Sequence, residues 1–196
     1  MRLTRDHERE IAELGRRYGE PRRLDVVIEG GFDPVQKTDR VGETCMVIRR
    51  RSGTLLVSIK TFYPRGAYRL PTGGIKVGET ILDATLRESR EETGLEVAPR
   101  RFLAAIVYRE RPGAEPLFHT FAFLLDEIGG TLGTPDAHER IEEWREIQPD
   151  DLLTVAERLE RVTHGYSTDI AGDWSAWGRF RAIVHRTVHD ALVSSR

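Results

Sequence analysis

Between Gly73 and Leu95 the chain gathers Glu79, Asp83, Glu88, Glu91 and Glu92 into one short glycine-bounded segment. Glu88, Glu91 and Glu92 stand at i, i+3 and i+4, so a helix puts them on one face. Local signals support that helix. Gly78 interrupts the chain, Thr80 with Asp83 has capping-box spacing, and Gly94 is suited to a left-handed stop. Ile81, Ala84, Thr85, Leu86 and Ser89 then form the expected inward stripe. Adjacent carboxylates repel one another unless a cation lies between them. Hard divalent cations take such oxygen ligands and leave room for substrate phosphates. Neutralisation by Arg87 and Arg90 is the bland alternative, at about 0.3–0.5 kcal/mol per i,i+4 pair.

The full pattern is Gly73, five residues, Glu79, seven residues, Arg87-Glu88, two residues, Glu91-Glu92, one residue, Gly94-Leu95. It resembles the Nudix box of the Nudix hydrolases, enzymes that act on a nucleoside diphosphate linked to another moiety. Two positions depart from it: Ser89 where an apolar residue is usual, and Lys76 where many members carry a glutamate. The resemblance implies that Glu88, Glu91 and Glu92 ligate Mg²⁺ or Mn²⁺, with Gly73 admitting the backbone. It implies supporting roles for Glu79 and Arg87. A general base comes from the box, with Glu91 a candidate, or from a later loop, where Glu139 is the first choice and Glu142 the second.

The resemblance further implies an α/β fold: a Nudix-like α/β/α sandwich with a mixed sheet and extra N-terminal and C-terminal helices. The elements agree with it. Residues 4–18 read as an amphipathic helix with Ile11 and Leu14 inward, and 24–28 as a strand before the turn Gly30-Gly31-Phe32-Asp33-Pro34. Residues 43–50 and 54–61 form a strand pair, and 102–110, 117–126 and 141–147 are further strands. Helices follow over 150–162 and from Trp177 onward. One domain, 1–196, is expected: extension 1–40, core 41–160 and helical tail 161–196.

Composition bounds the function. A formal net charge of −2 argues against non-specific nucleic-acid binding. Cys45 is the single cysteine, so no intrachain disulfide forms, and it reads as a small core residue. No secretory leader or membrane span is visible, which points to the cytoplasm. The expected partner is a nucleoside diphosphate-linked small molecule, and the resemblance allows a homodimer. Tyr63, Tyr68, Tyr108, Phe118 and Trp174 are candidates to stack on a base, and Arg65, Arg69, Arg109 and Arg111 to hold phosphate.

The leading function is therefore Mg²⁺-dependent hydrolysis of the diphosphate linkage in a nucleotide sugar, ADP-ribose-type compound or nucleoside triphosphate. The alternatives are a catalytically silent nucleotide sensor on the same scaffold and an RNA-end processing enzyme.

Overall fold

A computed structural model describes residues 3–32, 34–37 and 39–194. Met1, Arg2, Asp33 of the expected turn, and Ser195 and Arg196 of the tail lie outside the described residues. The elements run α1 (Arg5–Tyr18), β1 (Arg22–Val27), β2 (Arg40–Arg49), β3 (Leu55–Lys60), β4 (Thr72–Lys76) and α2 (Ile81–Thr93). They continue through β5 (Leu95–Arg109), β6 (Phe118–Gly130), β7 (Ile141–Ile147), α3 (Leu152–Glu160), the short pair β8 (Tyr166–Ser167) and β9 (Gly172–Asp173), and α4 (Trp174–Val193).

Seven strands form one mixed sheet in the order β1-β5-β6-β2-β3-β7, with β4 paired to β2 off that path. The β1/β5 and β2/β6 pairs are parallel, and the rest of the sheet is antiparallel. The central strands are apolar on both faces, as strands covered on both sides must be. Along β2, Cys45 and Val47 belong to one core while Met46 and Ile48 belong to the other. The first core is closed by Leu152, Ala156 and Leu159 of α3 with Trp177, Phe180 and Val184 of α4. The second is closed by Ile11 and Leu14 of α1 with Ile81 and Ala84 of α2. These are the three layers expected for helices that each need an apolar sheet face.

Four local differences separate structure from expectation. β1 sits inside the expected extension yet pairs with Arg22↔Ala104 to Val27↔Arg109 of β5. β5 begins at Leu95, immediately after the Gly94 stop, because a bulged pairing with β6 absorbs Pro99. The 150–162 helix divides into a 3₁₀ turn, Pro149–Asp151, and α3. Leu86 is exposed rather than inward, so the inner stripe of α2 is Ile81, Ala84, Thr85 and Ser89. Ser89 fits there because its hydroxyl donates to Thr85 O at 2.7 Å and leaves no orphan polar atom.

Candidate functional site

The helix α2 is held at both ends. Thr80 Oγ1 accepts from Asp83 N at 3.0 Å, the usual N-cap bond. A second cap comes from the distant helix α1, where Glu10 accepts from Ile81 N at 2.9 Å and Leu82 N at 3.0 Å. At the other end Gly94 adopts φ 69° and donates to Arg90 O. Its inner face is keyed to β2 by a 2.7 Å bond between the Thr44 and Thr85 hydroxyls.

With the axis fixed, Glu88 and Glu92 project one turn apart toward the strands and are buried. Glu139 meets them from the 3₁₀ turn Ala137–Glu139 ahead of β7. One carboxylate oxygen of each lies within 4.8 Å of the others. The residue after Glu139 helps aim it: Arg140 holds φ 54°, and its guanidinium packs 4.3 Å over Phe62 and donates to Asp169 at 3.0 Å. Lys60 Nζ donates to Glu139 Oε2 at 2.7 Å.

These three carboxylates line a cleft of about 280 Å³ together with Thr72, Gly73, Gly74 and Lys60. Gly73 is required by space. A Cβ there would stand 2.1 Å from Glu88 Cγ, so the backbone of β4 and the carboxylate share one volume. Glu92 is only 2% exposed. Its Oε2 is buried with no hydrogen-bond partner among the described residues. Desolvation pushes its carboxyl up to about 8 despite the attraction of Lys60 and Arg69. Desolvation also raises Glu88, and its bond from Arg87 works the other way. An orphaned buried carboxylate oxygen beside two more carboxylates is costly as it stands. A hard divalent cation is the group this all-oxygen donor set suits, so these residues fit the metal the box implies.

Arg87 organises the cleft's flank. It donates Nε and Nη2 to the two oxygens of Glu79 at 2.6 and 2.8 Å, and Nη2 to Gly74 O at 3.0 Å. Its Nη1 reaches Glu88 Oε1 at 2.7 Å and Glu91 Oε2 at 2.8 Å. The bond from Arg87 holds the Glu79 carboxyl below the ordinary glutamate range.

A family model described as the NUDIX domain matches residues 39–166. The chain belongs to the NUDIX family. It is 36% identical over 92 residues to an ADP-ribose pyrophosphatase of Methanocaldococcus jannaschii, covering 46% of this chain and 53% of that one. It is 31% identical over 121 residues to the NAD-capped RNA hydrolase NudC of Vibrio atlanticus, covering 59% and 43%. With Nudix hydrolase 2 of Arabidopsis thaliana the identity is 37% over 154 residues, covering 76% and 55%. The chain thus spans about half the length of the curated relatives it matches. A crystal structure of an ADP-ribose pyrophosphatase from Streptococcus suis overlaps 56% of this chain and 74% of that one, at 21% identity and TM-score 0.42.

Within this NUDIX domain, the site residues named from the sequence separate into two groups. Glu88, Glu92, Glu139 and Gly73 come together in the cleft. Glu79, Arg87 and Glu91 form the adjoining ion network, with the Glu91 side chain 47% exposed. Glu142 is exposed on β7 and does not line the cleft. Of the arginines considered for phosphate, Arg69 lines the deeper continuation of the cleft, while Arg109 is tied to Asp25. Of the aromatics, Tyr63 reaches that continuation, and Tyr108 and Phe118 are core residues around Phe180. Lys60, Arg40 and Arg181 line it without any motif that marks them in the sequence. Cys45 is a buried core residue whose thiol is pushed far up by desolvation, which rules it out as a nucleophile at neutral pH. No helix among the described residues is long and apolar enough to cross a membrane.

Proposed function

We propose that this NUDIX protein is a divalent-metal-dependent hydrolase that splits the diphosphate linkage of a nucleoside diphosphate derivative. The observation that carries this reading is the buried Glu92 carboxylate, its Oε2 unpartnered among the described residues, clustered with the carboxylates of Glu88 and Glu139. Glu88 and Glu92 hold Mg²⁺ or Mn²⁺, with the close backbone of Gly73 beside them. When bound, the metal neutralises phosphate charge and acidifies a water.

The chain's own groups do the rest. Arg87 fixes Glu88 through Nη1 and braces the β4 backbone through Gly74 O. Glu79 holds the Arg87 fork, and Glu91 takes its remaining direction. Glu139 faces Glu88 and Glu92 across the cleft, and its Oε2 is occupied by Lys60. Its Oε1 therefore remains to take a proton from the attacking water. Lys60 lies within the same wall and meets the phosphate charge. Glu142, away from the cleft, has no part in this assignment. We extend the proposal to the whole of 1–196 as one working domain, because β1 and α1 complete the sheet and brace α2.

The relatives' names include action on ADP-ribose and on NAD-capped RNA. Both contain a diphosphate linkage, so both belong in the test beside nucleotide sugars and nucleoside triphosphates. Purified protein with Mg²⁺ or Mn²⁺ should release nucleoside monophosphate from at least one of them, and Glu92→Gln should abolish that release. Binding without turnover across the panel would return the chain to the sensor alternative.

A further inference from the structure

Behind the carboxylates the cleft continues into a lobe of about 130 Å³ between the β3–β4 connection and α4. The two spaces share Lys37, Arg40, Lys60, Thr72, Gly73 and Gly74 and so adjoin. Their charge differs sharply. The lobe is lined by five cations, Lys37, Arg40, Lys60, Arg69 and Arg181, and two carboxylates, Glu43 and Asp169. Arg40 pairs with Asp39 at 2.8 Å and Lys60 with Glu139 at 2.7 Å, both carboxylates of the adjoining cleft. The lobe's own two carboxylates are already engaged. Glu43 accepts from Arg181 Nη1 at 2.7 and 2.8 Å and from Thr120 at 3.0 Å. Asp169 accepts from Arg140, which lies outside the lining, at 3.0 Å.

Arg69 is the decisive residue. It is 3% exposed, yet its partners are neutral: Tyr63 Oη at 2.9 Å, Leu70 O at 2.8 Å and Thr72 Oγ1 at 3.0 Å. Among the described residues no carboxylate forms an ion pair with it. Buried guanidinium groups are normally matched by an anion, because neutral acceptors do not repay the loss of hydration. Arg40, Lys60 and Arg181 in the same walls each pair with a carboxylate, whereas Glu92 and Glu43 attract Arg69 without an ion pair to it among the described residues.

We propose that this lobe is an anion subsite that receives a phosphate group of the substrate lying beyond the linkage that is cleaved. Its volume admits a phosphate and falls well below the roughly 300 Å³ at which pockets begin to hold drug-sized ligands. The aromatic rings nearby are packed on one another, Tyr63 against Trp177 at 4.8 Å and Trp174 against Trp177 at 5.1 Å, so the lobe's chemistry is cationic. Arginine and lysine are the side chains suited to phosphate oxygens. Arg181 and Trp177 come from α4, outside the 39–166 match, while Arg69 and most of the lining lie inside it. The preferred substrate class is a nucleotide ending in a phosphomonoester, such as a nucleoside triphosphate, over a diphosphate ending in a neutral sugar. That catalytic consequence rests on the hydrolase reading, whereas the anion site does not.

Inorganic phosphate is the probe, titrated calorimetrically into the whole protein in EDTA so that no metal contributes. Wild type should bind it, and Arg69→Gln should weaken binding about tenfold or more. Arg69→Lys, which keeps the charge but not the planar fork, should weaken it less and decides the matter if Arg69→Gln does not fold. In Mg²⁺, Arg69→Lys should lower kcat/KM for a nucleoside triphosphate and leave a nucleoside diphosphate sugar unchanged. No phosphate binding by wild type, or wild-type affinity in the folded Arg69 variant, overturns the subsite. Equal losses on both substrates overturn the preference. Phosphate binding with no hydrolysis of any substrate defeats the hydrolase reading and leaves the subsite standing.

Discussion

Arg87 and Glu79 meet through two parallel charge-assisted bonds, Nε to Oε1 at 2.6 Å and Nη2 to Oε2 at 2.8 Å. The pair spans the loop before α2 and a residue one and a half turns into it. Because the same guanidinium also bonds Gly74 O, Glu88 and Glu91, the fork ties strand, loop and helix at one point. It decides where Glu88 can be, and it touches the cleft through Glu88 and Gly74.

Arg87→Lys tests that role. A lysine keeps the charge but cannot make the planar fork. Activity should fall about ten- to hundredfold, as expected for a residue that orients a metal ligand, with circular dichroism unchanged. Mg²⁺ affinity should fall with it. Wild-type kcat and Mg²⁺ affinity in this variant would show that Arg87 is only a surface charge.

Glu92→Gln separates the site's chemistry from its stability. The carboxylate is desolvated and lacks a partner for Oε2, so a neutral amide of the same shape relieves rather than adds strain. In EDTA the variant should melt no lower than wild type. In Mg²⁺ the wild type should gain stability, about 2.7 kcal/mol at a hundred times Kd, and the variant should gain none. An equal Mg²⁺ shift in both proteins would remove Glu92 from the metal site.

Gly73→Ala probes the shared volume of β4 and Glu88. The added Cβ would lie 2.1 Å from Glu88 Cγ and 2.5 Å from Oε2. The side chain can swing aside more cheaply than the paired strand, so stability should drop by about 1–3 kcal/mol, typical of overpacking. Loss of activity and Mg²⁺ affinity should match that of Glu88→Ala. Full activity in Gly73→Ala would mean that Glu88 has no fixed post.

Much of this was legible because it is local. The i, i+3, i+4 glutamates, Thr80, Gly94 and the alternating strand residues report their own periodicity, and the NUDIX box sits where they indicate. What periodicity cannot show is which of the three glutamates turns inward: Glu88 and Glu92 are buried, and Glu91 is left to Arg87. Burial on a helix depends on the neighbouring strand, here the close approach of Gly73. Lys60, Arg40 and Arg181 escaped for a related reason, and Arg69 stands out in the sequence only as one of four arginines. They lie far apart in sequence, and only the meeting of β2, β3 and the β3–β4 connection with α4 brings them to one lobe. The helix α1 shows the same limit, since its inward Ile11 and Leu14 follow from spacing while the Glu10 cap on α2 spans 71 residues.

The last prediction concerns His185, which links α4 to the residues leading into the cleft. Leu70 N donates to Nε2 at 2.9 Å, so Nε2 is the bare nitrogen and Nδ1 carries the proton it donates to Arg181 O at 2.7 Å. Protonating Nε2 would break the bond to Leu70 inside the core. Burial accordingly lowers the imidazole from 6.5 to about 4, against the bond to Arg181 O. The folded state therefore binds fewer protons than the unfolded state between those values. Stability is complete above pH 6.5 and drains away as pH falls toward 4, by about 1.4 kcal/mol per unit inside the window. His185→Gln keeps an acceptor for Leu70 N–H but has no titrating group. Urea unfolding of both proteins from pH 7 down to 4.5 should give a stability difference that shrinks steadily below pH 6.5. A difference independent of pH would show that His185 does not stay neutral in the fold.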